Sequence, residues 1–303
     1  MNKSTNTPQS KNTGLKHRWL GIALAVIIGA QAAPTLPAQA ANLQQVVAAN
    51  IDNAAIVEIS LLYPTANNPN PSRNYQAQWM QLFRDVAPNW RFARALRHTT
   101  CLPAPAYDGN FAQNPGSSLK NWPIPGQSGC TLEQNTQEMI TYVDPRLCDA
   151  NTLRIGYWLY FKKDGFSGIG TGHRHDWEGT IVELKRQGGG ASPVWAYSQI
   201  RGSFHHGYNS ALWSDSFLEK TPDGKHPVMF VGWAHHAMHY TKGGAATLYE
   251  VDGNDLRNSY INLDAWNNLV VIPLESQPAQ NILRNGDFGA ANPPLTKDIC
   301  AIP

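Results

Sequence analysis

Residues 157–184 read YWLYFKKDGFSGIGTGHRHDWEGTIVEL, and this stretch predicts the architecture of the chain. An aromatic and apolar run opens it, a glycine-rich segment follows, and a β-branched run closes it. This order is typical of two strands joined by a loop. We predict short strands at residues 155–161, 180–184, 194–198, 228–231, 247–251 and 269–272. Because turn-forming residues separate these strands, the pattern favours a mainly β fold, an antiparallel β-sandwich with a few peripheral helices.

The residues before this region are predicted from weaker signals. Residues 42–50 fit a short helix, and residues 56–63 fit a strand because they are rich in β-branched and apolar side chains. Residues 74–97 have an imperfect helical period that Pro88 interrupts. With no internal repeat, one domain covering residues 41–303 is the simplest interpretation.

The first 40 residues have the organisation of a secretory signal peptide. Four basic residues and no acidic residue accompany an apolar run at residues 19–28, and Ala38-Gln39-Ala40 follows as a cleavage pattern. A membrane anchor is the alternative, but the apolar run is short for a membrane span. We therefore expect a secreted, extracellular protein.

Removal of this leader changes the charge of the chain. The full sequence has 24 Lys and Arg against 22 Asp and Glu, and four of the basic residues belong to the leader. The remaining 20 basic and 22 acidic residues give a formal net charge of −2. A chain without a basic field has little attraction for nucleic acid, so we expect no nucleic-acid partner. We also expect a monomer.

Four cysteines in an exported chain predict two disulfides, with three possible pairings. We favour Cys101–Cys130, which would close a loop rich in proline and glycine. The second pair would then be Cys148–Cys300, which would attach the C-terminal segment to the rest of the domain. Because none of the four has C-x-x-C spacing, a zinc ribbon is not expected.

The heptapeptide GHRHDWE, residues 172–178, concentrates side chains that can bind metal ions. If a strand begins at Asp176, alternation places Asp176 and Glu178 on one face of the sheet. His175 and Trp177 then point to the other face. Two neighbouring carboxylates repel each other unless a cation lies between them.

Two further residues can join this carboxylate pair. His173 lies just before the predicted strand, and Asp164 lies at the other end of the glycine-rich loop. Three carboxylates with one imidazole favour a hard divalent cation, Ca²⁺ or Mg²⁺, over zinc. The alternative is an ordinary surface with a buried histidine–carboxylate pair.

A second histidine-rich region covers residues 203–208 and 233–239. These histidines are either satisfied polar residues or, with Trp233 beside His235 and His236, the edge of a site for a sugar or a lipid headgroup. The sequence contains no G-x-S-x-G nucleophile motif. We therefore expect no enzymatic activity, with a metal-dependent hydrolase as the alternative.

GHRHDWE and the strand and loop before it resemble the hallmark of the necrosis-inducing protein family, the NLP cytolysins of plant-associated microbes. Residues 101–108 with Cys130 resemble the disulfide loop of this family. Later family segments are matched by residues 206–208, 236–238 and 287–293. The resemblance extends from about residue 90 to the end of the sequence.

The resemblance implies a single-domain β-sandwich akin to the actinoporins and some fungal lectins. Members of the family are secreted, bind a divalent cation in a cleft, and recognise the sugar headgroup of glycosylinositol phosphorylceramide sphingolipids. Membrane damage and necrosis follow in susceptible plants. Since the family also contains members without toxicity, a non-toxic glycan- or lipid-binding protein is the alternative function.

The resemblance also implies roles for individual residues. The metal-cleft residues of the family correspond to Asp164, His173, Asp176 and Glu178, the set that strand alternation also selects. Headgroup-binding roles fall on His206, Trp233 and His236.

Overall fold

The structure is a computed structural model that describes residues 47–63, 67–69, 71–93, 102–118, 139–166, 171–188, 194–204, 207–232, 235–242 and 260–303. These residues lie in one compact unit, Asn42–Pro303. Several predictions concern residues outside the described ranges: the leader, Cys101 and Cys130, His206, Trp233 and the strand at 247–251.

The described elements are mostly strands. In chain order they are β1 (Val47–Asn50), α1 (Asn53–Ile59), α2 (Gln76–Asp85), β2 (Asn89–Ala93), β3 (Thr141–Asp149), β4 (Thr152–Phe166), β5 (Thr171–Gln187), β6 (Val194–Phe204), β7 (Gly207–Leu212), β8 (Val228–Val231), β9 (Met238–His239), β10 (Tyr260–Asp264), β11 (Leu269–Val271) and α3 (Gln277–Asn285). Short 3₁₀ helices occupy Ala265–Asn267, Ile272–Leu274 and Pro294–Thr296.

The strands form two sheets. The larger has seven strands in the order β1-β6-β5-β4-β3-β11, with β7 also paired to β6, and the smaller has the order β10-β2-β8-β9. β11 runs parallel to β3 and β2 runs parallel to β8, whereas the other described pairs are antiparallel. The predicted mainly β class is confirmed, and both sheets are mixed because distant segments of the chain add parallel strands to them.

The predictions for the two N-terminal segments are wrong. Residues 47–50 pair with β6 as a strand instead of forming a helix, because sheet pairing overrides weak local propensity. The predicted strand at residues 56–63 is largely helix α1 and the turn after it. Its buried residues Ala55, Ile56, Ile59 and Leu62 recur at a helical period, so β-branched content was the weaker signal. The interruption at Pro88 is observed, since α2 ends before it and β2 begins after it.

The larger sheet is covered on both faces, which explains the continuous apolar run of β4. Tyr157, Leu159 and Phe161 pack into one core with α1, α2 and the smaller sheet. Trp158 and Tyr160 pack into a second core with α3 and the C-terminal segment. A strand buried on both faces loses the simple alternation of polar and apolar residues.

The C-terminal segment is fastened to the larger sheet at several points. Cys148 on β3 and Cys300 form a disulfide with a Cα–Cα distance of 5.4 Å, which confirms the predicted pair. The guanidinium of Arg154 on β4 donates to the carbonyl oxygens of Ile299, Cys300 and Ile302. This anchoring matters because the same segment forms a wall of the candidate site. Across the described ranges, no helix combines the length and apolarity needed to cross a membrane.

Candidate metal centre and ligand cleft

A cleft of about 660 Å³ opens at the end of the larger sheet. β5 pairs with β6 only from Thr180 onward, so its N-terminal half pairs with β4 alone. The Ser203 hydroxyl closes the end of this ladder by accepting from the Gly179 N–H at 2.8 Å and donating to the Gly179 carbonyl at 3.0 Å. The N-terminal half of β5, the β6–β7 hairpin and the C-terminal segment therefore enclose an open-ended space.

The charged or metal-binding side chains in the cleft come from the β4–β5 hairpin, the segment before β9 and the C-terminal segment. The residues of this kind that line it are Asp164, His173, Asp176, Glu178, His235, Lys297 and Asp298. Such a concentration of carboxylates and imidazoles in one cleft is typical of a binding or catalytic site.

Asp164, Asp176 and His236 form the tightest group. One ligand atom from each of the three lies within 4.8 Å of the others. His236 Nδ1 lies within hydrogen-bond distance of Asp176 Oδ2, at 2.9 Å, and the His236 ring stacks on Phe161 with a centroid distance of 3.7 Å. The stacked aromatic ring fixes the plane of the imidazole, so the three ligand atoms form a cluster of defined geometry.

Two more histidines surround Asp164. His235 Nδ1 lies 3.0 and 3.2 Å from its two carboxylate oxygens, and His173 Nε2 lies 3.7 Å from Oδ2. Asp164 and His173 are also direct cross-strand partners between β4 and β5. The predicted loop position of His173 is therefore wrong: β5 begins at Thr171, and His173 lies inside the strand.

The strand alternation changes at His175, and this change brings the cluster together. Asp176 is the cross-strand partner of Phe161, so these two residues share a face of the sheet. Asp164 lies three residues beyond Phe161 on β4, so regular alternation would place it on the opposite face from Asp176. His175 has a φ of 63°. A residue in this left-handed region departs from the extended conformation on which the regular alternation of side chains depends. His175 itself turns away from the cleft, and its Nδ1 is hydrogen-bonded to the Tyr160 hydroxyl at 2.7 Å.

The remaining predicted residues are distributed around this cluster. Glu178 lies in the cleft, two positions beyond Asp176, but is not one of the three residues within 4.8 Å. Trp177 is buried against Tyr142 and Phe288 in the second core. His236, predicted to bind the headgroup, lies next to Asp164 and Asp176. The adjacent His235-His236 pair was visible in the sequence, but nothing local indicated that it would approach β4 and β5.

The electrostatics of the cluster favour a bound cation. Burial raises the pKa of Asp176 well above its usual range, and the charges of Glu178 and Asp164 raise it further. Burial also lowers the pKa of the His236 imidazole to about 3, so this ring is neutral at physiological pH. For Asp164, burial alone would raise the pKa, but the hydrogen bond and charge of His235 leave it lowered.

The donor set fits a hard divalent cation. Carboxylate oxygens are the preferred ligands of Ca²⁺ and Mg²⁺, and a neutral imidazole is able to complete such a site. His236 Nε2 is buried and has no hydrogen-bond partner within the described part of the chain. A cation near Asp164 and Asp176 would offset the repulsion that raises the pKa of Asp176.

The fold and the candidate site together describe a β-sandwich protein with mixed sheets and a cleft rich in acidic residues and histidines. The family model described as Necrosis inducing protein (NPP1) matches residues 89–299. The match covers more than half of the chain, so the chain belongs to the necrosis-inducing protein family, and the resemblance seen in the sequence is confirmed.

Solved structures share this fold. NLPPya in complex with mannosamine is 21% identical with a TM-score of 0.50, over 70% of this chain and 82% of that chain. A non-toxic HaNLP3 protein is 18% identical with a TM-score of 0.50, over 71% and 86%. A structure described as a toxin fold for microbial attack and plant defense is 22% identical with a TM-score of 0.50, over 82% and 93%. No curated protein sequence matches the chain. At these identities, the structural likeness establishes the fold.

Proposed function

We propose that this protein is a secreted, cation-dependent cytolysin that binds the sugar headgroup of membrane sphingolipids, glycosylinositol phosphorylceramides, in the cleft and damages plant membranes. The observation that carries the proposal is the convergence of Asp164, Asp176 and His236, whose ligand atoms lie within 4.8 Å of one another beside the cleft. Secretion is supported by the signal-peptide pattern and by the Cys148–Cys300 disulfide, which suits an oxidising compartment.

Side chains of the cluster would bind the ion, and the ion would in turn bind the sugar. Asp164, Asp176 and His236 would hold a Ca²⁺ or Mg²⁺ ion, with His173 and Glu178 next to them. Such an ion supplies coordination positions for the hydroxyl groups of a sugar. The volume of about 660 Å³ lies within the usual range of small-molecule sites.

The polar groups around the cleft suit recognition of a sugar. Tyr208, Asn292 and Asp298 line the cleft beside the acidic group and provide donors and acceptors for sugar hydroxyls. We propose no enzymatic activity, because Ca²⁺ and Mg²⁺ lower the pKa of a bound water much less than zinc does. Leu212 and Phe217 are exposed apolar residues on the same domain, 52% and 48% exposed, but they do not line this cleft.

A non-toxic glycan-binding protein is the second candidate function. The same fold occurs in HaNLP3, which is described as non-toxic, and in NLPPya, which is described in complex with mannosamine. The two candidates share the cleft and the ion, and they differ only in whether binding leads to membrane damage.

Ion binding is tested by calorimetry with Ca²⁺ and Mg²⁺ on the wild type and on Asp176→Asn. We expect the substitution to weaken the affinity at least about tenfold, since even residues that only orient metal ligands contribute that much. Asp108→Asn is the matched control, because it removes an exposed carboxylate that does not line the cleft and keeps an oxygen to accept from the Asn110 N–H. Equal affinities for the wild type and Asp176→Asn would contradict the metal centre.

Cytolysis is tested separately. Dye release from vesicles that contain glycosylinositol phosphorylceramide, with and without chelator, should occur only when protein and cation are both present. Binding to these vesicles without dye release, and without necrosis after infiltration into leaves, would favour the non-toxic candidate.

A further inference from the structure

The acidic cleft contains an ammonium group of its own. Lys297 follows the 3₁₀ helix Pro294–Thr296 in the C-terminal segment, is partly buried, and lines the cleft together with Asp176 and Glu178. Its Nζ lies 4.5 Å from the centroid of the Trp158 ring, in the geometry of a cation–π contact. The side chain is thus directed into the cleft region and held there, instead of extending into solvent.

Its position is fixed by the surrounding fold. Trp158 is fully buried on β4, and Cys300, three residues after Lys297, is joined to Cys148 on β3. Arg154 also holds the Ile299 carbonyl at 2.8 Å. These anchors two and three residues after the lysine, together with the Trp158 contact, limit how far the ammonium group is able to move away from the carboxylates.

Lys297 and the carboxylates affect one another electrostatically. Burial lowers the pKa of Lys297, and the charges of Glu178 and Asp176 act in the opposite direction. Lys297 in turn partly opposes the rise in the pKa of Asp176. These opposing effects follow from the placement of one cation among several anions.

We propose that Lys297 is a built-in counter-cation that limits the affinity of the cleft for its metal ion and adjusts the cleft to a divalent charge. This inference rests on the proposed ion site. With a cation bound, the three inner carboxylates of Asp164, Asp176 and Glu178 are ionised and carry three negative charges, leaving aside the exposed Asp298 on the cleft wall. Lys297 reduces this inner charge to −2, which one divalent ion balances. Without the ammonium group the sum is −3, which attracts any cation more strongly and suits a trivalent one best.

The test compares Lys297→Met with the wild type by titration with Ca²⁺ and with Tb³⁺. Methionine keeps most of the length and apolar volume of the lysine and removes its charge, so contact with Trp158 is retained. We expect Ca²⁺ affinity to rise roughly tenfold or more, because a unit charge close to a poorly hydrated site has a large effect. The gain for Tb³⁺ should exceed the gain for Ca²⁺, since the repulsion scales with the charge of the ion.

Lys297→Arg is the matched control, because it keeps the positive charge and should bind both ions like the wild type. Lys297→Gln is a second neutral variant, and thermal unfolding monitored by circular dichroism verifies that each variant is folded. If every neutral variant fails to fold, Lys297 is a structural residue and the proposal is overturned.

The outcomes separate this proposal from the proposed function. Unchanged Ca²⁺ and Tb³⁺ affinities in folded Lys297→Met would overturn the counter-cation while leaving the ion site intact. Absence of binding in both the wild type and the variant would overturn both. Binding by Lys297→Met but not by the wild type would support the counter-cation and contradict cation dependence of the natural protein.

Discussion

The Cys148–Cys300 disulfide should contribute a large part of the stability of the domain, and its removal tests how the C-terminal wall of the cleft is held. The two cysteines are 152 residues apart in sequence. For a loop of that length, the chain-entropy model gives a stabilisation of about 5 kcal/mol. Measured values for native disulfides are usually lower, so we expect Cys148→Ala/Cys300→Ala to reduce the free energy of unfolding by about 2–5 kcal/mol.

Urea denaturation followed by circular dichroism and tryptophan fluorescence, without reductant, measures this loss. The control is Ala301→Ser, which alters an exposed neighbour in the same segment and leaves the disulfide intact. A loss below about 1 kcal/mol would refute the reasoning, because it would mean that the cross-link hardly restricts the unfolded chain. The hydrogen bonds from Arg154 to the segment would then account for its attachment.

Two further predictions concern the buried ion cluster of the sheet and the end of the β4–β5 hairpin. Glu183 Oε2 accepts from Arg154 at 2.9 Å and Arg201 at 3.1 Å, so Glu183→Gln should cost about 3–5 kcal/mol in urea denaturation at pH 7, as expected when a buried ion pair loses one partner. Burial alone would raise the pKa of Glu183, but the two arginines leave it lowered. The stability that the Glu183 carboxylate contributes is therefore fully present above the unfolded pKa of about 4.3 and is lost as pH falls through the folded pKa. A difference in unfolding free energy between the wild type and Glu183→Gln that does not shrink toward pH 3 would contradict this. Gly172 has a φ of 105°, and a Cβ there would lie 2.3 Å from the Asp164 carbonyl oxygen, so Gly172→Ala should destabilise the protein and weaken Ca²⁺ binding. The control Gly188→Ala has a φ of 70° but no atom within 4 Å of the added Cβ, so it should cost only about 1–2 kcal/mol, and equal effects of the two substitutions would exclude the clash as the cause.

The sequence predicted the fold class well because the deciding signals are local. The strands β4, β5, β6, β8 and β11 overlap the predicted ones, and the strand pattern of residues 157–184 does correspond to a hairpin. The length of β4 and β5 was underestimated, since glycine and charged residues at 162–175 resemble a loop when read alone. Pairing between the two strands compensates for the weak propensity of these residues.

The mixed character of the sheets lay beyond local signals. β11 pairs with β3 more than 120 residues earlier in the chain, and β2 pairs with β8 across a similar distance. The relevant free energy comes from packing between distant segments, which hydrophobic periodicity does not encode. The wrong prediction for helix α1 has a different cause. Its buried residues Ala55, Ile56 and Ile59 recur at a helical period, and this local signal proved stronger than the β-branched content that favours a strand.

Strand alternation selected Asp176 and Glu178 correctly as neighbours on β5, and both line the cleft. It did not identify His236 as the partner of Asp176, because that contact joins residues 60 positions apart. Nor did it identify Lys297, which lies outside the motif and reaches the cleft through the C-terminal segment. A motif therefore indicates which side chains one strand offers, whereas the tertiary fold decides which other segments complete the site.

Backbone strain supplies the link between the motif and the site. Among the described non-glycine residues only Phe111, His175 and His236 have a positive φ, and the last two belong to the strand and the loop that form the candidate metal centre. Each such residue costs about 1–2 kcal/mol, so it persists only where surrounding contacts compensate. His175 is held by the Tyr160 hydroxyl, and His236 by the stacked Phe161 ring and by Asp176. Because regular alternation would place Asp164 and Asp176 on opposite faces, we infer that the strain at His175 is the structural cost of bringing the two carboxylates together.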